Sequence, residues 1–203
     1  MTKAKPDEPK LDKTAIGLVG FPGSGKSAIA RFLAEILGTA VIVMGDVVRA
    51  EAEKRNIPTS PEIMRQLMIN LRKEQGKDII ARKCLQKIAE LVSAPTKPVI
   101  IDGLRSVEEL EVFRERLRSF HLVAVLASPQ IRFSRLQKRD RQDDPTARAT
   151  FEARDTLEVQ VGVLSLIDQA DYSIINEQDL EILKHKVREL AEWIKKKEAA
   201  IFG

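Results

Sequence analysis

The stretch G20-FPGSGK-S27 decides the fold of this chain, because it fits the spacing G-x-x-x-x-G-K-[ST] of a phosphate-binding loop. An apolar run at 16–19 precedes it and a helical run at 28–37 follows it, which is the context that such a loop requires. Its glycines let backbone N–H groups turn inward and cradle oxyanions at a helix N-terminus. We expect Lys26 to reach the outer phosphates and Ser27 to ligate Mg²⁺. The stretch predicts a nucleoside triphosphate site made of Gly20, Phe21, Pro22, Gly23, Ser24, Gly25, Lys26, Ser27 and Ala28.

Short apolar bursts rich in β-branched residues recur along the whole chain, and each is followed by a segment with helical periodicity. Bursts of this length are typical of buried parallel strands. Their alternation with helices predicts a doubly wound α/β fold of three layers, with a parallel five-stranded sheet in the middle. The predicted strands lie within residues 15–20, 40–45, 98–103, 121–128 and 171–176.

The length of 203 residues suits one domain, which we assign to residues 15–203. Residues 1–14 mix charge and proline with little to bury, so a disordered tail is predicted there. About fifty residues of helical pattern, roughly 46–93, separate the second and third strands, which is more than a crossover needs. We therefore predict a helical insertion over the carboxyl edge of the sheet, where ligands bind in open α/β folds.

Composition excludes several classes of protein. No apolar run is long enough to cross a bilayer and the first residues are too polar for a signal peptide, so we predict a cytoplasmic protein with no membrane partner. The single cysteine, Cys84, excludes an internal disulfide, and its place on an apolar helical stripe predicts a buried small hydrophobe. The net charge of +4 suits an anionic small molecule as well as a nucleic acid.

The run V99-IID-G103 ends a predicted buried strand in an aspartate, the Walker-B arrangement that holds the Mg²⁺ shell. Asp102 could instead cap the helix that begins after Ser106, although Ser106 already fits the capping position. ATPases that hydrolyse for mechanical work commonly carry a glutamate after this aspartate to orient water, and here Gly103 follows. This favours transfer of the phosphate to an acceptor over its loss to water.

Arginines provide the second argument for transfer. Arg132, Arg135 and Arg139 are spaced to share one helix face, which either faces solvent or has an anion opposite it. Arg154 either points towards a cleft or pairs with Glu158 four residues later. Phosphoryl transfer needs positive charge around the migrating group and exclusion of water. Several arginines beyond the phosphate loop, on a segment that can close, suit transfer to a bound acceptor.

Four motifs occur in the order found in the nucleoside-monophosphate-kinase family, and over about residues 15–176 the chain resembles that family, adenylate kinase in particular. The motifs are G20-FPGSGK-S27, G45-DVV-R49, D102-GL-R105, and R135-LQK-R139 followed by R141-QD-D144 and R154. The whole pattern is most similar to a largely archaeal branch of nucleotide-kinase-like P-loop proteins, which is related to both adenylate and dephospho-CoA kinases.

The resemblance implies a role for each of these residues. Asp102 would lie on the metal shell, and Arg135 would stack on the donor base near Asn176. The arginines that would surround the transferring phosphoryl group are Arg139, Arg141 and Arg154. The implied acceptor-binding residues are Met44, Asp46, Arg49 and Arg105, with both arginines on the acceptor's phosphate.

Three departures from adenylate kinase modify this picture. Met44 stands where adenylate kinases generally have a small hydroxyl residue, and the spacing from Asp102 to Arg105 is one residue shorter. Residues 139–154 leave no room for a long lid hairpin, so a short helical lid is predicted. Met64 and Met68, on the predicted insertion, either form an adaptable acceptor pocket or belong to the core.

These patterns favour an ATP- and Mg²⁺-dependent phosphotransferase that passes the γ-phosphoryl group to a nucleoside monophosphate or a nucleotide-like small-molecule acceptor. A dephospho-CoA kinase-like activity is one alternative. An adenylate-kinase-like ATPase that acts with RNA or a ribonucleoprotein is another, motivated by the pI near 9.2, although nucleic acid is not the favoured partner. A nucleotide sensor without turnover is a third.

Overall fold

The computed structural model describes residues 10–91, 97–139 and 147–202. Its centre is a five-stranded sheet with the strand order β2-β3-β1-β4-β5, in which every neighbouring pair is parallel. The strands are β1 (Leu11–Val19), β2 (Val41–Val43), β3 (Val99–Asp102), β4 (Leu117–Leu126) and β5 (Tyr172–Ile175). The predicted doubly wound parallel sheet is confirmed, and each of the five predicted strands is present.

Helices connect the strands and cover both faces of the sheet. Within the described residues they are α1 (Lys26–Leu37), α2 (Met44–Lys54), α3 (Pro61–Gln75), α4 (Ile79–Glu90), α5 (Val107–Arg116), α6 (Pro129–Arg139), α7 (Arg148–Val161), α8 (Val163–Asp168) and α9 (Leu180–Phe202). None of the helices in these ranges is both long and apolar enough to span a bilayer.

Alternating side chains of the central strands build a separate core on each face of the sheet. Ala15 of β1 and Ile101 of β3 belong to one core, together with apolar side chains of α2, α3, α4, α5 and α8. Ile16 of β1 and Ile100 of β3 belong to the other, which α1 and α9 cover. Because both faces are buried, the strands appear in the sequence as continuous apolar runs rather than alternating ones.

The amino end of the domain differs from its prediction. The strand β1 begins at Leu11, so the prediction of a disordered tail as far as residue 14 is wrong for residues 11–14. Thr14 is buried and its hydroxyl donates a hydrogen bond to Glu198 of α9. Composition alone missed this segment, because its structure depends on partners that are distant in the chain. Its backbone pairs with β4, and the side chain of Thr14 contacts α9.

Between β2 and β3 the described residues form α2, α3 and α4, and the first of these helices begins at Met44, two residues before the expected boundary. Cys84 of α4 is fully buried, and this burial raises the pKa of its thiol to about 12, so the predicted role as a small hydrophobe is confirmed. At the start of α5, Ser106 and Glu109 form the capping box that their spacing indicates. Ser60 is the residue before α3, but its side chain makes no capping hydrogen bond.

Candidate active site

A cleft of about 390 Å³ opens at the carboxyl edge of the sheet, beside the loop that joins β1 to α1. Ligands bind at this edge in open α/β folds, because the loops after the strands diverge there. The cleft gathers residues that are far apart in the chain. Its polar and charged lining comprises Lys26, Ser27, Arg49, Arg72, Asp102, Arg105, Glu109, Arg135, Arg139, Arg154 and Glu158.

The phosphate-binding loop has the backbone that its glycines permit. Gly25, the residue before α1, has a φ of +100°, and a Cβ there would lie 2.2 Å from Nδ2 of Asn176. A Cβ on Gly23 would lie 2.7 Å from the carbonyl oxygen of Arg132. The Oγ atom of Ser24 is buried without a hydrogen-bond partner. This narrow glycine cradle at a helix N-terminus fits the phosphates of a nucleotide.

Lys26 folds back over the loop, where its Nζ atom donates hydrogen bonds to the carbonyl oxygens of Gly20 at 2.7 Å and Phe21 at 3.1 Å. Burial lowers the pKa of Lys26 to about 8, and the charges of Asp102 and Glu158 offset part of this effect. Within the described residues the hydrogen-bond partners of the ammonium group are these two carbonyl oxygens, and a phosphate oxygen would be a stronger partner.

Ser27 and Asp102 meet across the first turn of α1. The hydroxyl of Ser27 donates to Oδ2 of Asp102 at 2.8 Å, and Asp102 is buried at the end of β3. The cap role considered for Asp102 falls to Ser106, whose side chain accepts from the backbone N–H of Glu109. A hydroxyl and a carboxylate side by side at a phosphate loop are the donor set that could hold Mg²⁺.

Arg135 and Asn176 lie together against the phosphate loop. The NH1 atom of Arg135 donates to the carbonyl oxygen of Asn176 at 2.9 Å. The side-chain amide of Asn176 donates to the carbonyl oxygen of Ser24 at 2.8 Å, and Asn176 is buried. The structure thus brings both residues predicted to lie near the donor base to the same side of the loop, and base stacking on Arg135 stays a prediction.

Arg132, one turn before Arg135, has a partner that the sequence did not reveal. Only 3% exposed, it makes two hydrogen bonds to the carboxylate of Asp155 on α7, at 2.8 and 2.5 Å. Its guanidinium also lies over the rings of Phe21 and Phe151, at 4.8 and 4.9 Å from their centroids. Arg132 and Arg135 of the α6 stripe therefore pack against the phosphate loop, whereas Arg139 is exposed and lines the cleft.

Helix α7 supplies Arg154 and Glu158 to the cleft. Glu158 is buried, and its Oε1 atom lies 3.3 Å from NH1 of Arg105, which is in the loop after β3. Gly162 at the end of α7 is close to the same loop, since a Cβ there would lie 3.8 Å from the carbonyl oxygen of Arg105. The carboxyl end of α7 thus closes one side of the cleft.

Three of the four predicted acceptor-binding residues lie in the cleft. Met44, Arg49 and Arg105 line the cleft, and Met44 is also part of the core. Asp46 has a side chain 56% exposed that contacts Arg49. Met64 and Met68 both pack against the core, and Met68 also lines the cleft. Arg141 lies outside the described residues, as do residues 140–146 of the predicted lid.

Arg72 and Glu109 were missed as site residues. Glu109 is fully buried and accepts a hydrogen bond from NH2 of Arg72 at 2.8 Å and another from the backbone N–H of Arg105 at 2.9 Å. The capping-box spacing indicated Glu109 as a helix cap, and no local pattern indicated a partner 37 residues earlier. The pair links α3 to α5, and Glu109 also holds the loop after β3 through Arg105.

Comparison with known proteins agrees with this geometry. The AAA domain family matches residues 19–152, so the fold and the site define a P-loop NTPase domain, a class that binds nucleotides. A UPF0200 protein of Thermococcus sibiricus is 42% identical over 186 residues, which cover 90% of this chain and 97% of the relative. A UPF0200 protein of Methanothermobacter thermautotrophicus is 37% identical over 180 residues, covering 89% and 90%. The chain belongs to the UPF0200 family, and the predicted resemblance to an archaeal P-loop branch is confirmed.

The crystal structure of shikimate kinase from Bacteroides thetaiotaomicron matches with a TM-score of 0.58. The match covers 90% of this chain and 98% of that chain at 18% sequence identity. This likeness shows that the fold is that of a P-loop kinase.

Proposed function

We propose that this protein is an ATP- and Mg²⁺-dependent phosphotransferase that passes the γ-phosphoryl group to a small anionic acceptor, a nucleoside monophosphate or a nucleotide-like molecule. The observation that carries the proposal is the charge of the cleft. Seven cationic side chains and three carboxylates are among the described residues that line it. This excess is larger than one Mg²⁺-bound triphosphate would offset, and it suits a second anion.

The distribution of the arginines supports two subsites. β1 and its phosphate loop lie between β3 and β4 in the sheet. Arg135 and Arg139 come from the helix after β4, on one side of the loop. Arg49, Arg72 and Arg105 come from α2, α3 and the loop after β3, on the other side. A hydrolase needs no second set of anion-binding side chains, whereas a two-substrate enzyme does.

Within this proposal each group of the chain has a defined task. The loop from Gly20 to Ala28 holds the donor phosphates, and Lys26 moves from its carbonyl partners to the outer phosphates. Ser27 and Asp102 hold Mg²⁺, which neutralises charge on the phosphoryl group when bound. Arg49 and Arg105 orient the acceptor, while Arg139 and Arg154 stabilise the charge of the transition state.

A transfer screen tests the proposal. ATP labelled at the γ-phosphate is incubated with AMP, CMP, GMP, UMP or 3′-dephospho-CoA, and labelled acceptor and free phosphate are measured together. We expect one acceptor to take up label faster than free phosphate appears, and Lys26→Ala to abolish the uptake. Free phosphate as the sole product with every acceptor would contradict the proposal, and stimulation of that release by RNA would favour the RNA-associated ATPase instead.

A further inference from the structure

Glu158 occupies an unusual place for a carboxylate. It is only 8% exposed, and it lines a cleft in which cationic side chains outnumber carboxylates. Its Oε1 atom lies 3.3 Å from NH1 of Arg105. Its charge also reaches the phosphate-loop lysine, since it helps to raise the pKa of Lys26 against the larger effect of burial. Glu158 therefore faces the region between Lys26 and the acceptor arginines.

The other two carboxylates of the described lining serve the proposed metal site and the start of α5. Asp102 accepts from Ser27 and belongs to the proposed metal site. Glu109 accepts from Arg72 and from the backbone N–H groups of Arg105 and Ser106. Asp46, which the resemblance placed at the acceptor, has its side chain largely in solvent. Glu158 is the described carboxylate of this cleft best placed to receive a proton from an acceptor.

The type of acceptor decides whether such a carboxylate is useful. A phosphate acceptor attacks through an oxyanion that needs no base, and a buried carboxylate nearby would repel it. A hydroxyl acceptor must lose a proton, and kinases of hydroxyl substrates use a carboxylate to accept it. A carboxylate that faces the transfer region would therefore hinder the binding of a phosphate acceptor, whereas it would help a hydroxyl acceptor to lose its proton.

We propose that Glu158 is the general base of the reaction, and that the acceptor is an alcohol which carries its own anionic group for Arg49, Arg72 and Arg105. This inference rests on the phosphotransferase function proposed above. The hydroxyl oxygen of the acceptor forms a bond to the γ-phosphorus of ATP while the bond from that phosphorus to the β,γ-bridging oxygen breaks. ADP leaves, and the hydroxyl proton passes to a carboxylate oxygen of Glu158 and then to solvent.

Glu158→Gln tests the inference, because glutamine keeps a hydrogen bond to Arg105 but cannot accept the proton. The probes are 3′-dephospho-CoA, shikimate and gluconate, which offer hydroxyls and an anionic group, and AMP and CMP, which accept at phosphate. With the best hydroxyl probe we expect kcat to fall by about 10²- to 10⁴-fold in the variant. The acceptor KM and the Kd for ATP should change by less than about threefold, since the residues that bind both substrates remain.

Glu152→Gln is the matched control, because Glu152 lies on the same helix with an exposed side chain that pairs with Arg148. Glu158→Asp keeps a carboxylate, and we expect it to retain more activity than Glu158→Gln. A melting curve for each variant separates loss of fold from loss of chemistry.

The product distinguishes the possible failures. Transfer to AMP or CMP at phosphate, at the same rate in wild type and Glu158→Gln, would overturn this inference and leave the phosphotransferase function intact. Equal kcat values for the two proteins with a hydroxyl probe would also overturn it. Release of free phosphate alone with every probe would overturn the function on which the inference rests.

Discussion

The carboxylate of Asp155 on α7 accepts hydrogen bonds from both terminal nitrogens of Arg132 on α6, at 2.8 and 2.5 Å. The same guanidinium donates to the carbonyl oxygen of Pro22 at 3.3 Å. One ion pair thus joins the phosphate loop to the helix that carries Arg154 and Glu158. The arginine is buried, and within the described residues Asp155 is the carboxylate that pairs with it, while the rings of Phe21 and Phe151 lie against its guanidinium.

Removing the carboxylate should destabilise the protein. Asp155→Ala leaves the buried charge of Arg132 without the carboxylate that pairs with it in the described residues, so we expect the free energy of unfolding to fall by about 3 kcal/mol. Urea unfolding at neutral pH measures the change. Glu152→Ala, which breaks an exposed pair on the same helix, should cost about 0.5 kcal/mol or less. Similar losses for the two variants would show that Arg132 does not depend on Asp155.

The phosphate-loop lysine should oppose folding at neutral pH. Burial lowers the pKa of Lys26 from 10.5 to about 8, so the folded state releases a proton that the unfolded state keeps over this interval. Wild-type stability therefore gains from this group as the pH rises from about 8 towards 10.5, and lacks that gain below pH 8. Lys26→Met removes the titration, and the variant should be more stable than wild type at pH 7.

The difference in the free energy of unfolding between Lys26→Met and wild type should then shrink above pH 8, by at most about 1.4 kcal/mol per pH unit. Urea unfolding of both proteins at several pH values between 7 and 10 gives the difference. Lys138→Met, at an exposed position of α6, is the comparison for a lysine outside the loop. A stability difference between Lys26→Met and wild type that stays constant across this range would refute the prediction.

Loss of the Ser27 hydroxyl should weaken the response to Mg²⁺. In Ser27→Ala the buried carboxylate of Asp102 loses its hydrogen-bond donor, and the proposed Mg²⁺ site would lose a ligand. We expect the Mg²⁺ concentration for half-maximal activity to rise by about tenfold or more. A Mg²⁺ titration at saturating ATP measures it, with Ser134→Ala on the exposed side of α6 as the control. An unchanged titration midpoint would remove Ser27 from the proposed metal site.

The two arginine sets should separate in steady-state kinetics. Arg49→Ala removes a cation from the acceptor side, so we expect the acceptor KM to rise by about tenfold or more with little change in ATP binding. Arg135→Ala removes the side chain that donates to the carbonyl oxygens of Asn176 and Ser24, so ATP binding should weaken instead. Arg65→Ala, an exposed position on α3, is the control. Collapse of ATP binding in Arg49→Ala would mean that the two subsites are wrongly assigned.

The sequence by itself determined the sheet and the phosphate loop, because both depend on local patterns. Continuous apolar runs predict strands buried on both faces, and the spacing of Gly20, Gly25 and Lys26 predicts a phosphate cradle wherever a strand precedes it and a helix follows. The position of Asp102 at the end of a buried run was equally informative. For residues of this kind, a few neighbours along the chain are enough to predict the structural environment.

Only the tertiary structure decided which charges meet. Arg132 pairs with Asp155, which is 23 residues later in the chain. Arg72 pairs with Glu109, which is 37 residues later. Glu158 of α7 pairs with Arg105 in the loop after β3. Such partners depend on how each helix is rotated about its axis when it packs on the sheet. Helical spacing shows which residues share a face, but it does not say what that face will contact. The charge balance of the cleft therefore followed from packing, and it is this balance that favours a second, anionic substrate.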